Sequence, residues 1–143
     1  VYVWKGLRIM GLGGSIRYNS EETFQYTERE MRRRVRRLWF KAHRAGGIDL
    51  LLTHSPAAGL NDGDDRAHKG FACFNDLLEE YQPKWFVHGH VHLSYNANLP
   101  RVCTHGQTTV INATERYTFE IPDPDPVARR RFFWNDPAFP TKN

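Results

Sequence analysis

The order of apolar runs and amphipathic stripes predicts an α/β fold. Residues 48–52 form a continuous apolar run too short for a helix, as a strand covered on both faces requires. Before it, Met31, Val35, Leu38, Trp39 and Ala42 recur at helical spacing; after it, Phe71, Phe74, Leu77, Leu78 and Tyr81 do the same and lead to a second apolar run, residues 85–87. Strands alternating with helices in this way imply parallel pairing.

Each element follows from local signals. Leu7-Arg8-Ile9-Met10 reads as a short strand within a buried segment, residues 2–10, and runs into Gly11-Leu12-Gly13-Gly14-Ser15, whose glycines permit a sharp turn before a loop to about Tyr26. Thr27 and Glu30 give the T-x-x-E capping-box pattern that opens the first helix, and Gly46 and Gly47 stop it. The strand at 48–52 delivers Thr53-His54-Ser55-Pro56 at its C-terminal end, and a polar, Gly/Asp-rich loop spans 57–69. Pro83 ends the second helix, after which the strand at 85–87 leads into five residues ending at His92. Residues 101–104, 108–112 and 117–121 read as three short strands, an antiparallel finish to a mixed sheet.

With 143 residues, 40% of them hydrophobic, the chain has room for one core and not comfortably for two. Residues 1–121 are read as a domain portion and 122–143 as a Pro/Arg-rich extended tail, with Phe132, Phe133 and Trp134 available for packing. Cys73 and Cys103 are too few and too far apart for a disulfide framework or a thiolate zinc knuckle, so both are expected to be buried or unreactive thiols. No apolar run approaches the ~20 residues of a bilayer span and no signal pattern opens the chain, so a cytoplasmic location is expected. The chain opens on Val1 with strand-like sequence at once, which leads us to expect that the natural protein begins further upstream. The net charge of +4 suits anionic ligands such as phosphate esters, though the excess comes largely from Arg32, Arg33, Arg34, Arg36, Arg37 and from Arg129, Arg130, Arg131. The first group complements an apolar helical stripe, where a solvated face is the better reading, and the second mixes cations with aromatics in one short segment. A nucleic-acid partner is therefore only weakly indicated, and a membrane is not.

The chemistry concentrates where two strands end. In α/β proteins ligands bind outside the carboxyl ends of the strands, and here both apolar runs terminate in histidine. Gly89-His90-Val91-His92 places two imidazoles, good ligands for Mn, Fe, Zn, Co or Ni, on one short turn whose sharpness Gly89 permits. By contrast, the strand-following Gly11-Leu12-Gly13-Gly14 has Ile16 where a dinucleotide loop needs its third glycine, and no helix starts there.

Thr53-His54-Ser55-Pro56, a Gly/Asp-rich loop, a helix, a strand and then Gly89-His90-Val91-His92 resemble the second half of the calcineurin-like metallophosphoesterases, over about residues 1–121. The resemblance implies one half of a four-layer α/β/β/α sandwich and a centre of two divalent metal ions at which an activated water hydrolyses phosphate mono- or diesters. It implies that His54 and His90 bind one metal and His92 the other. The family's upstream D-x-H, G-D-x-x-D and G-N-H-[ED] motifs do not occur here, and Gly63-Asp64-Asp65 falls after the T-H-S-P motif without the required second Asp. This chain is thus expected to supply half of a site, to need the N-terminal half of the same domain as its partner, and to be inactive alone. The competing reading is a non-catalytic metal-binding or nucleic-acid-binding module. Metal should leave as the pH falls through ~6–7, because protonated imidazole cannot coordinate.

Two further histidines are candidates for lesser roles. His68, after Asp64-Asp65 and before the second helix, could touch a substrate phosphate or orient a ligand, although loop histidines are more often solvated. His88 alternates with His90 and His92, so an extended strand would put all three on one face; a structural or supporting role is expected for it.

Overall fold

The computed structural model describes residues 1–19, 23–94 and 99–122. Strands β1 (Tyr2–Trp4) and β2 (Leu7–Leu12) form an antiparallel hairpin through Lys5 and Gly6, both at positive φ as a tight two-residue hairpin turn requires. Tyr2, Val3 and Trp4 are exposed, so the N-terminal segment is an edge strand and not the buried run expected. A small parallel pair, β3 (Ser15–Ile16) with β4 (Gln25–Tyr26), lies in what reads as loop. Gly14, at φ +103°, is needed there: an added Cβ would sit 2.4 Å from the Tyr26 ring.

Helix α1 (Glu28–Arg44) follows, then β5 (Leu50–Thr53), α2 (Ala72–Tyr81), β6 (Trp85–His88), β7 (Val102–His105) and β8 (Thr108–Asn112). The capping box forms as the T-x-x-E spacing predicts: the Glu30 N–H donates to Thr27 Oγ1 at 3.3 Å and the Thr27 N–H to the Glu30 carboxylate at 2.7 Å. Helix α2 has Phe71 at its N-cap and no side-chain acceptor of its own. Its first N–H groups, on Ala72 and Cys73, donate instead to the Glu28 carboxylate at 3.0 and 2.8 Å, so the start of α1 caps the start of α2.

The main sheet has the order β1-β2-β5-β6-β8-β7, with β2, β5, β6 and β8 mutually parallel and antiparallel strands at both edges. Strand alternation divides its side chains. Met10, Leu51, Phe86 and Val110 face the helices and join Met31, Val35 and Ala42 of α1 with Phe74, Leu77 and Leu78 of α2 in one core. On the other face, Leu7, Leu50, Trp85, Val87 and Ile111 form a second cluster, and among the described residues no helix lies over it.

The expected third C-terminal strand is absent: residues 117–121 are irregular and lie against that second face, with Phe119 and Ile121 on the cluster and the Phe119 ring 6.5 Å from Trp85. The reason lies in the ladder. β8 is hydrogen-bonded to β6 on one side and β7 on the other, leaving no free edge for the following segment. One helical layer on one face of one mixed sheet is an α/β architecture corresponding to part of a layered sandwich. No helix of the described residues is long and apolar enough to cross a membrane. Of the segment 122–143, all but Pro122 lies outside the described residues, including Arg129, Arg130, Arg131, Phe132, Phe133 and Trp134.

Candidate metal centre at the strand ends

The parallel strands deliver their C-terminal residues to one edge. Beyond β5 the His54 N–H donates to the Leu12 carbonyl at 3.1 Å, and beyond β6 the Gly89 N–H donates to the His54 carbonyl at 3.0 Å, so the ladder holds these two loops side by side. The chain then reverses at His90: the Val91 N–H donates to the Gly89 carbonyl at 2.8 Å across His90 at φ +68°, a three-residue turn of the strained γ type. The turn expected of Gly89 is therefore made by the histidine. Gly89 itself is not at positive φ, and a Cβ there would come no closer than 3.8 Å to the His54 carbonyl or to Thr114.

This turn brings His90 Nδ1 to 3.1 Å from His54 Nε2, with ring centroids 4.7 Å apart. His90 Nε2 lies 2.8 Å from the Ala67 carbonyl, which can only accept, so Nε2 carries the proton and Nδ1 keeps its lone pair toward His54. Burial pushes the pKa of His54 down. Burial does the same to His90, opposed by the Ala67 carbonyl and reinforced by the neighbouring imidazoles of His54, His68 and His92. Both rings are thereby biased toward the neutral form that a metal ion needs.

The remaining candidates sit around this pair. His92 lines an adjacent cavity of about 480 Å³ together with Gly63, Asp64, Asp65, His68 and Val91. The His68 ring centroid is 5.2 Å from that of His90, and its Nδ1 is 2.7 Å from the Asp65 carboxylate. That carboxylate also accepts the N–H groups of Ala67 and His68, and the His68 bond above all holds it below the usual carboxylate range. The loop is closely built: a Cβ on Gly63 would lie 2.6 Å from His68 Cβ, and one on Gly70 only 2.3 Å from the Ala57 carbonyl carbon.

His88 does not share a face with His90 and His92, because β6 ends at His88 and the alternation stops with it. It points into the helix-covered side beside Phe86, ring centroids 5.4 Å apart, only 1% exposed. Its Nε2 has no hydrogen-bond partner among the described residues, and burial lowers its pKa to about 4. Two residues at the end of β8 support the turn in a way that motif reading missed: Asn112 Nδ2 and Thr114 Oγ1 both donate to the Val91 carbonyl, at 2.8 and 3.1 Å. The only sequence signal was a polar Asn-Ala-Thr directly after an apolar strand.

In kind, these donors fit a divalent ion. Two neutral imidazole nitrogens 3.1 Å apart suit a single cation with ligands at ~2.0–2.1 Å, and the second nitrogen of His90 is fixed by a carbonyl, as ligating histidines require. Among the described residues, however, no three His, Cys, Asp or Glu side chains gather as a complete metal site. His54 and His90 could hold an ion only with ligands from outside them.

No family model matches the chain. A human protein named metallophosphoesterase domain-containing protein 1 is 32% identical over 71 residues, 48% of this chain and 20% of that protein. A Caenorhabditis elegans protein of the UPF0046 group is 37% identical over 73 residues, 46% of this chain and 24% of that protein. The matched segment thus spans a fifth to a quarter of the length of these relatives. A solved crystal structure, 20% identical, superposes on 80% of this chain and 43% of its own with a TM-score of 0.55, which bears on the fold alone. Over about half of its length, this chain is thus similar in sequence to proteins named for a metallophosphoesterase domain.

Proposed function

We propose that the chain supplies part of the active centre of a metal-dependent phosphoesterase acting on phosphate mono- or diesters, with His54 and His90 sharing one divalent ion and His92 serving a second. The approach of His54 Nε2 to His90 Nδ1, with the other nitrogen of His90 held by Ala67, carries this reading. Divalent ions bound there, whether Mn, Fe, Zn, Co or Ni, would supply Lewis-acid activation of water and of the phosphoryl group. The chain's own contribution is positional. The strained turn at His90, the Ala67 carbonyl and the Asn112–Thr114 bracket hold the donor nitrogens in place before any ion arrives.

The carboxylates that usually balance the charge of such ions are not grouped with these imidazoles among the described residues. Hence the complete site draws ligands from residues outside this set, and the isolated chain is expected to be inactive. The decisive experiment is His90→Ala in the full-length protein, with bound metal measured by mass spectrometry and hydrolysis measured on a phosphodiester and a phosphomonoester. We expect a 10- to 100-fold or greater loss of metal affinity and of activity; full metal content and full turnover in the variant would refute the assignment.

A further inference from the structure

The outward face of α1 carries a charge pattern that the metal centre does not explain. At 100° per residue, Arg29, Arg33, Arg36, Arg37 and Arg44 fall within an arc of about 100°, opposite Met31, Val35 and Ala42, and extend over about 22 Å of helix. All five are exposed, and among the described residues none takes part in an ion pair or a side-chain hydrogen bond. Nearby acids are already engaged. Glu28 accepts from the N-terminus of α2 and pairs with Arg32, Glu30 closes the capping box and pairs with Arg17, and Asp76 pairs with Arg32. Arg34, turned to the flank, donates to the Gly13 carbonyl and lies over the Tyr26 ring.

An ordinary solvated face intersperses both signs, because like charges at i, i+4 destabilise a helix. Here Arg29–Arg33 and Arg33–Arg37 are such pairs, left uncompensated. At the centre of the arc stands Phe40, 69% exposed, in edge contact with Trp39, which in turn stacks on His43 at 5.2 Å and 11°. Guanidinium groups match phosphate oxygens in bidentate geometry, and exposed aromatic rings offer stacking surface to bases. A lipid surface fits less well, because the apolar side of α1 is spent on the core and a single Phe is left outward.

We propose that this face of α1, formed by Arg29, Arg33, Arg36, Arg37, Phe40 and Arg44, docks the sugar–phosphate backbone of a nucleic acid. The docking is independent of the His54–His90 pair, so His90→Ala should leave it intact.

The test is fluorescence anisotropy of the whole chain with a labelled single-stranded oligonucleotide. Binding should weaken with salt, log K falling by about 0.7 per log unit of salt for each phosphate contacted, or about 3 for four contacts. The variant Arg29→Gln/Arg33→Gln/Arg36→Gln/Arg37→Gln should lose about tenfold or more in affinity and flatten that slope, with its helical circular dichroism unchanged. Phe40→Ser should weaken binding without altering the slope. If the quadruple variant does not fold, Arg36→Glu and the salt slope of the parent chain decide. Parental affinity in the Arg variants would overturn the proposal. So would loss of binding only on replacing Arg129, Arg130 and Arg131 by Gln, or binding to phosphatidylserine vesicles with none to the oligonucleotide.

Discussion

At His88 the cost of burial is concentrated in one nitrogen. The ring is almost fully buried, Nε2 has no partner among the described residues, and the pKa falls to about 4 from an ordinary 6.5. Between those two values the unfolded chain binds a proton that the folded chain refuses, so stability is fully present above about pH 6.5 and is lost as the pH falls toward 4, on the order of 3 kcal/mol in all. His88→Leu removes the proton site and the unpaired polar atom together. Its urea midpoint should therefore differ much less between about pH 7 and about pH 5 than that of the parent chain. An unchanged acid sensitivity would place its origin elsewhere. The histidines of the metal pair move in the same direction, since burial lowers both His54 and His90. Release of a bound divalent ion should consequently be centred below about pH 6.5, toward the lower end of what unperturbed imidazoles suggest, and metal content followed through a pH titration tests this.

The two helices are not equivalent as elements. α1 closes its own N-terminus through Thr27 and Glu30, while α2 borrows Glu28 from α1. Thr27→Ala should cost about 1 kcal/mol by removing one cap. Glu28→Ala should cost more, about 1.5–3 kcal/mol, because it leaves two N–H groups of the other helix without a charged acceptor and also breaks the pair with Arg32. Chemical denaturation of the two variants side by side gives the order, and equal losses would mean that water replaces Glu28 at the start of α2. The capping box could be read from spacing alone, because both partners lie within one turn. The Glu28 contact spans 44 and 45 residues and has no local signature.

For the molecule as a whole, the consequential feature is that the sheet has two unlike faces. Leu51 faces the helices and is fully buried, whereas its neighbour Leu52 faces the other way and is 46% exposed. Leu51→Ala should cost about 2–5 kcal/mol in this chain, and Leu52→Asn less than about 0.5 kcal/mol. If a second sheet covers that face in the full-length protein, Leu52→Asn will become substantially more costly there, and comparing melts of the two forms detects this. A similarly small effect in both would mean that the part of the face around Leu52 stays open.

Local sequence determined the two helices, the core strands β2, β5 and β6, the capping box and the placement of His54 and His90 at strand ends, because each depends on periodicity or chemistry within a few residues. Only the tertiary structure decided that β8 inserts between β6 and β7, and so that residues 117–121 cover a face and do not extend the sheet. It also turned His88 inward, placed the sharp turn at His90 instead of Gly89, and brought Asn112 and Thr114 under Val91. The physical reason is competition for partners: a backbone hydrogen bond or a buried position goes to whichever distant segment reaches it, and no neighbouring residue records the outcome.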